Sequence, residues 1–77
     1  MDPNAAWREL LAAVDSGDSD RLLETATALA GWLDQRGFPP DTTGGVVNHS
    51  DWNRRIARFA CDVAIDMASR RLPHIQE

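Results

Sequence analysis

Two adjacent prolines, Pro39 and Pro40, stand near the middle of this 77-residue chain and limit its fold more than any other feature. Neither can lie inside a helix, and each disfavours helical geometry in the residue before it. Gly37 suits the left-handed position after a helix, and Phe38 is then placed to contact Leu33, with Trp32 adjacent, as in a Schellman motif. The stretch therefore predicts that one helix ends here and that another begins later.

The alternative for these prolines is a polyproline ligand segment that binds an aromatic groove on another protein. Such segments usually carry a P-x-x-P repeat, because residues three apart lie on the same face of the polyproline helix and meet the groove together. No such repeat surrounds Pro39 and Pro40, so we favour the helix-stop interpretation.

The residues before the prolines predict an antiparallel hairpin of two helices, at about 3–16 and about 19–36. Asp2 is a suitable N-cap for the first helix, and Pro3 fits its first position, where a missing N–H costs nothing. Gly17 can end this helix in the left-handed conformation, and Asp18 or Ser19 can cap the next. A connection this short requires the two helices to run antiparallel.

Apolar residues at helical spacing predict which face of each hairpin helix is buried. In the first helix this face comprises Trp7, Leu10, Leu11 and Val14. In the second it comprises Leu22, Ala26, Leu29, Ala30 and Leu33, with Leu23 and Trp32 at its two edges.

A long connection, residues 37–49, leads to a third helix predicted at about 50–72, with Ser50 as its N-cap and Pro73 beyond its end. Val46 and Val47 are expected to anchor the connection to the core. The third helix has a primary apolar face that is expected to cover the hairpin: Trp52, Ile56, Phe59, Ala60, Val63 and Met67.

A second apolar face on the third helix is the main pointer to function. Cys61, Ile65, Ala68 and Leu72 lie on it, and a three-helix monomer needs only one apolar face per helix. The connection could fold over this face, or its residues could simply be exposed, as many apolar residues are. We favour an interface with a second copy or with another helical protein.

The fold predicted for residues 1–77 is accordingly a single all-α domain, a three-helix bundle that a second subunit could complete. A chain of this size builds only a thin core without metals or disulfides, so association would stabilise it. The corresponding function is a non-catalytic protein-protein interaction or regulatory module.

The alternative function is a small nucleic-acid-binding regulator that uses the basic cluster Arg54, Arg55 and Arg58. Charge argues against it, because residues 1–45 carry a net charge of −5 and residues 46–77 only +1. Phosphate backbones are bound through several cationic contacts. A third option is a small-molecule site lined by Trp32, Phe38 and Trp52.

Catalytic and metal-binding patterns are not found in the sequence. His49, Asp51 and His74 lack the spacing of metal-ligand motifs, and Ser50 next to His49 is not a catalytic triad. The chain contains no lysine and no tyrosine, which removes Schiff-base and phenolic acid chemistry. We therefore expect no enzyme activity, no cofactor and no metal.

Location is predicted from similarly simple features. Cys61 is the only cysteine, no leader pattern begins the chain, and no apolar run is long enough to span a membrane. We expect a cytoplasmic protein without membrane attachment. The use of arginine in place of lysine throughout is typical of a GC-rich bacterial genome.

Residues 7–40 contain W7-x-x-L10-L11, then G17-D18, then W32-L33-D34 and G37-F38-P39-P40. This pattern resembles a group of short, uncharacterised bacterial helical proteins that share a WLD-x-x-GFPP ending. The resemblance implies an independent helical hairpin and no activity. The hairpin is also similar to a single tetratricopeptide unit, although no second repeat follows.

Overall fold

The computed structural model of this protein describes residues 1–71, which form three helices and no strand. These are α1 (Pro3–Ser16), α2 (Ser19–Asp34) and α3 (Ser50–Arg71). Both α1 and α3 pack mainly against α2. The predicted all-α three-helix bundle is confirmed. The second helix ends two residues earlier than expected, and residue 72, the expected end of the third, lies outside the described part.

The caps of the hairpin follow directly from the local sequence. Asp2 accepts hydrogen bonds from the backbone N–H groups of Asn4 and Ala5, at 3.0 and 3.2 Å. Gly17 has a φ of 70° and ends α1 in the left-handed conformation. Asp18 caps α2 by accepting from the N–H of Arg21 at 3.1 Å. These contacts satisfy backbone donors that a helix start would otherwise leave unpaired.

The end of α2 is a Schellman motif that lies one residue earlier than predicted. Arg36 takes the left-handed position with a φ of 69°. The N–H of Gly37 donates to the Trp32 carbonyl at 2.9 Å, and that of Arg36 to the Leu33 carbonyl at 3.1 Å. Gly37 passes directly beneath the Trp32 indole, where a Cβ atom would overlap the ring. Glycine is therefore required for close approach, and arginine bears the positive φ.

Phe38 is not part of the core, contrary to the prediction, and of its two expected neighbours it contacts Trp32. Its side chain is exposed, and its ring meets the Trp32 ring edge-on, with centroids 6.5 Å apart and planes at 87°. The Trp32 Nε1–H donates to the Phe38 carbonyl at 2.8 Å. The tryptophan, not the core, thus holds the chain as it leaves α2.

The core lies where α2 meets small residues of α3. The predicted face of α2 is buried throughout: Leu22, Ala26, Leu29, Ala30 and Leu33. Opposite it, α3 contributes Ala57, Cys61, Ala64 and Ala68, and α1 contributes Leu10 and Ala13. Small side chains on one helix allow the large ones of its neighbour to fill the space between two close backbones.

The predicted orientation of α3 was wrong, because its primary apolar face is turned away from α2. Trp52, Ile56, Phe59 and Val63 are exposed, whereas the alanine-rich face, formed by Ala57, Cys61, Ala64 and Ala68, is buried. On α1 the same holds for Leu11 and Val14. Both apolar faces of α3 could have covered the hairpin. The face that allows the closer approach to the leucines of α2 is the one that packs.

The connection between α2 and α3 is anchored by Pro40 and Asn53, both buried. The Asn53 side-chain oxygen accepts from the backbone N–H and the hydroxyl of Thr42, at 3.1 and 2.7 Å. Its amide donates to the Val47 carbonyl at 3.4 Å. Val47 is half-buried, but Val46 is 84% exposed, so only one of the two valines acts as predicted.

The start of α3 is capped by His49 rather than by Ser50. The His49 carbonyl accepts the first helical hydrogen bond, from the N–H of Asn53 at 3.0 Å. The His49 Nδ1 accepts from the N–H of Trp52 at 3.2 Å. His49 therefore has a structural role at the helix start, which is the position of an N-cap.

Candidate interaction groove between α1 and α3

An open apolar groove of about 340 Å³ lies between α1 and α3. We call it the α1/α3 groove, and it is lined by Leu10, Leu11, Val14, Ile56, Phe59, Ala60, Val63, Ala64 and Met67. Every lining residue is apolar. The groove exists because both helices pack against α2, and their facing surfaces do not close on each other.

Helical spacing places these side chains on two facing walls. Leu11 and Val14 lie on α1, while Ile56, Phe59 and Val63 recur every three or four residues on α3. Leu10 and Ala64 are buried and form the floor.

The walls are exposed to a degree that is unusual for large apolar residues. Leu11 is 46% exposed and Phe59 is 68% exposed. Trp52, 50% exposed, extends the apolar surface of α3 toward its N-terminal end. Burial of a side chain of this size contributes about 1.5–3 kcal/mol, so a partner that covers several of them would gain substantial free energy.

Three of the four interface residues predicted from the sequence, Cys61, Ile65 and Ala68, lie on the opposite side of α3. Cys61 and Ala68 are 0% exposed and belong to the core, so their assignment to a surface was wrong. Ile65 is half-buried and packs against the same core. Leu72 lies outside the described residues. Cys61 and Ala68 are buried because α3 is oriented opposite to the prediction and packs its alanine-rich face against α2.

The connection does not cover Ile65, which was one of the alternatives. Its hydrogen bonds reach Asn4, through the N–H of Asp41 at 2.8 Å, and Asn53. Both lie near the N-terminal ends of their helices. Ile65 is twelve residues further along α3 than Asn53, which is about 18 Å in a helix.

The Cys61 thiol is expected to be unreactive in this environment. Burial raises the pKa of its thiol to about 11, and Arg58 lowers it by a smaller amount. A neutral, buried thiol is neither a good nucleophile nor a good metal ligand.

Two of the three arginines proposed for nucleic-acid binding have partners within the domain. Arg54 donates to the Leu33 carbonyl at 2.9 Å and so caps the end of α2. Arg58 makes two hydrogen bonds to Asp34, at 3.0 and 3.3 Å, and a third to Asp62. The bond to Asp34 is the largest cause that raises the pKa of Arg58. Arg55 is exposed. The geometry therefore does not gather three cationic groups for a phosphate backbone.

The other candidate residues are only partly brought together. Trp32 and Phe38 are in contact, but no ring contact joins Trp52 to them within residues 1–71. His49 caps α3, and Asp51 lies in its first turn. His74 lies outside the part that the structure describes. In that part, no group of three or more His, Cys, Asp or Glu residues could hold a metal ion.

A second concavity, also of about 340 Å³, lies between α1 and α2. Asp2, Glu9 and Glu24 are among its lining residues. Asp2 already caps α1, and Glu9 is paired with Arg21 at 3.3 Å. Asp2 and Glu9 therefore already have partners within the hairpin, and their positions are explained without a ligand in this concavity.

Comparisons with protein families, with curated proteins and with solved structures give no match for this chain. Within the described residues, none of the helices has the length and apolar character needed to cross a bilayer.

Apart from Ala64, the residues that line the groove belong to the faces that the sequence predicts to be buried. The signal that could have distinguished the two faces of α3 is side-chain size. Ala57, Ala64 and Ala68 on one face allow close helix packing, whereas Phe59 and Trp52 on the other hold a neighbouring helix at a greater distance.

Proposed function

We propose that this protein is a non-catalytic protein-protein interaction module that binds a helix of its partner in the α1/α3 groove. The observation that carries the proposal is the exposure of Phe59 within a continuous apolar surface, on a domain whose core closes without it. The partner helix can come from a second copy or from another protein.

The size of the surface supports this proposal. Leu11, Val14, Trp52, Ile56, Phe59 and Val63 together expose an apolar area on the order of 500 Å². Continuous apolar patches above a few hundred Å² on a folded domain are typical of interaction sites.

The shape of the surface favours a helix as the bound element. The helices α1 and α3 form the walls of the groove. An apolar helix of the partner can pack between them as the fourth helix of a four-helix bundle. Such a helix would present apolar residues at i, i+3 or i+4, and i+7.

The absence of a catalytic role is part of the same proposal. The groove is lined by apolar side chains alone, so it offers no acid, base or nucleophile to a substrate. We expect the protein to act in the cytoplasm, where a single unpaired cysteine is ordinary.

The proposal is tested by placing a photo-activated crosslinking residue at position 59 and, as the matched control, at position 27. Thr27 is exposed on α2, on the side away from the residues that pack against α3. In cells that express the protein, we expect position 59 to crosslink to a protein and position 27 to remain uncrosslinked. No protein adduct at position 59, or equal adducts at both positions, would contradict the proposal.

A further inference from the structure

We propose that the occupant of the α1/α3 groove is a second copy of this chain, related by a two-fold axis that sets the two α3 helices antiparallel. This inference rests on the proposed function and names the partner. Three features of the described residues carry it: the apolar area, the order of charges along α3, and the place of Trp52.

The area is sufficient for a symmetric pair. A two-fold interface uses the same surface on both copies. Two surfaces on the order of 500 Å² bury about 1,000 Å² of apolar area, which reaches the lower size of a specific interface before any polar rim is added. For so small a domain, sharing a core in this way also stabilises the fold.

The order of charges along α3 selects the antiparallel arrangement. Arg55 lies one turn before Phe59, and Asp66 lies three residues after Val63. When the axis passes between Phe59 and Val63, Arg55 of each copy comes opposite the turn that holds Asp66 of the other. The dimer then contains two pairs of opposite charge, each formed by Arg55 of one copy and Asp66 of the other. A parallel arrangement would keep the two Arg55 side chains at the same level and would bring neither of them to Asp66, so this attraction would be lost.

The same axis places Trp52 opposite Arg70 of the other copy. The Arg70 side chain is 79% exposed and already pairs with Asp66 at 2.9 Å, and the Trp52 indole is exposed at the other end of the same apolar face. A guanidinium over an indole is an attractive contact. In the centre, Phe59 of each copy enters the groove between Val63 and the α1 wall of its partner.

The first experiment is sedimentation equilibrium of the full chain from low micromolar to submillimolar concentration. We expect twice the chain mass at high concentration and dissociation on dilution. Phe59→Ser should raise the dimer dissociation constant on the order of a hundredfold or more, because each dimer loses the central anchor twice. Val46→Ser, which changes an exposed valine outside the groove lining, is the matched control and should leave the constant unchanged.

Circular dichroism shows whether each variant retains its helices.

A charge exchange provides a second, independent test of the dimer. Arg55→Asp and Asp66→Arg should each weaken the dimer, and the double variant should recover most of the wild-type affinity. A wild-type protein that stays monomeric overturns the inference, as does a dimer that is indifferent to Phe59→Ser or a double variant without recovery. A monomer that still crosslinks to another protein through position 59 would overturn this inference and leave the proposed function standing.

Discussion

At the scale of single residues, Trp32 decides how the chain leaves α2. Its ring covers Gly37, its Nε1–H binds the Phe38 carbonyl, and its own carbonyl accepts from the Gly37 N–H. The local sequence identifies a glycine as part of the helix end, but it cannot say whether backbone conformation or space requires that glycine. Only the position of the indole shows that the reason is space.

The close approach of the indole predicts that Gly37→Ala destabilises the protein by about 1–3 kcal/mol, because the added methyl group must displace a packed ring. Urea unfolding measured by tryptophan fluorescence gives the free energy of unfolding.

The matched control is Gly31→Ala, since Gly31 lies inside α2 and an added methyl group would meet open space there. At this position the substitution should be neutral or stabilise the helix by up to about 1 kcal/mol. Equal effects at the two glycines would show that the indole does not restrict position 37.

We predict that the protein loses stability in alkaline solution because of the buried Cys61 thiol. Burial raises the pKa of Cys61 from 9.0 to about 11. The folded protein therefore retains the proton after the unfolded chain has released it, and stability falls as pH rises from about 9 to about 11. Chemical unfolding at a series of pH values measures this slope.

Cys61→Ala should remove this part of the pH dependence, whatever its effect on stability at neutral pH. The wild-type thiol should also react slowly with a thiol reagent under native conditions and rapidly in denaturant. Rapid native reaction, or an unchanged slope in the alanine variant, would refute the burial of an un-ionised thiol.

At the scale of elements, the helices and their caps are largely local consequences of the sequence, whereas the connection is not. Asp2, Gly17 and Asp18 act as their residue types predict. The connection instead depends on Asn53, a residue of α3 that joins Thr42 and Val47. Nothing in the pattern around Asn53 distinguishes it from an ordinary exposed helix residue.

Asn53→Ala should therefore loosen the connection and destabilise the protein by about 1–3 kcal/mol, because the partners of a buried polar side chain lose their hydrogen bonds. Hydrogen exchange should become faster at the amide of Thr42 in particular, because its N–H donates to the Asn53 side chain. Asn48→Ala changes an exposed asparagine in the connection and should have little effect. If hydrogen exchange in the connection is equally slow in the Asn53 variant and in the wild type, the connection is held by other contacts.

At the scale of the whole molecule, the orientation of α3 determines which residues form the core and which form the α1/α3 groove. The alanine-rich face packs on the leucines of α2, so the larger apolar residues of α1 and α3 line an open surface. The same reversal moves the candidate interface from Cys61 and Ala68 to the face that carries Phe59.

The orientation is tested by enlarging a buried alanine. Ala57 is completely buried against α2, so Ala57→Leu should separate the helices and cost about 1–3 kcal/mol, or more if α3 is displaced. Ala12→Leu adds the same atoms at an exposed position of α1 and should change stability by less than about 0.5 kcal/mol. The midpoints of urea unfolding give both values, and a tolerated leucine at position 57 would contradict the orientation described above.

The sequence by itself determined the helical class, the three helices, the capping of the hairpin by Asp2, Gly17 and Asp18, and the buried face of α2. All of these depend on residues close together in the chain, where propensity, capping and periodicity act in the same direction. It also predicted correctly that α3 has two apolar faces. Which of them packs on α2 was decided only by tertiary structure, because that choice depends on how closely two particular helix surfaces can approach. Periodicity records that a residue is apolar, but the distance between two helices is set by the sizes of all the side chains that meet.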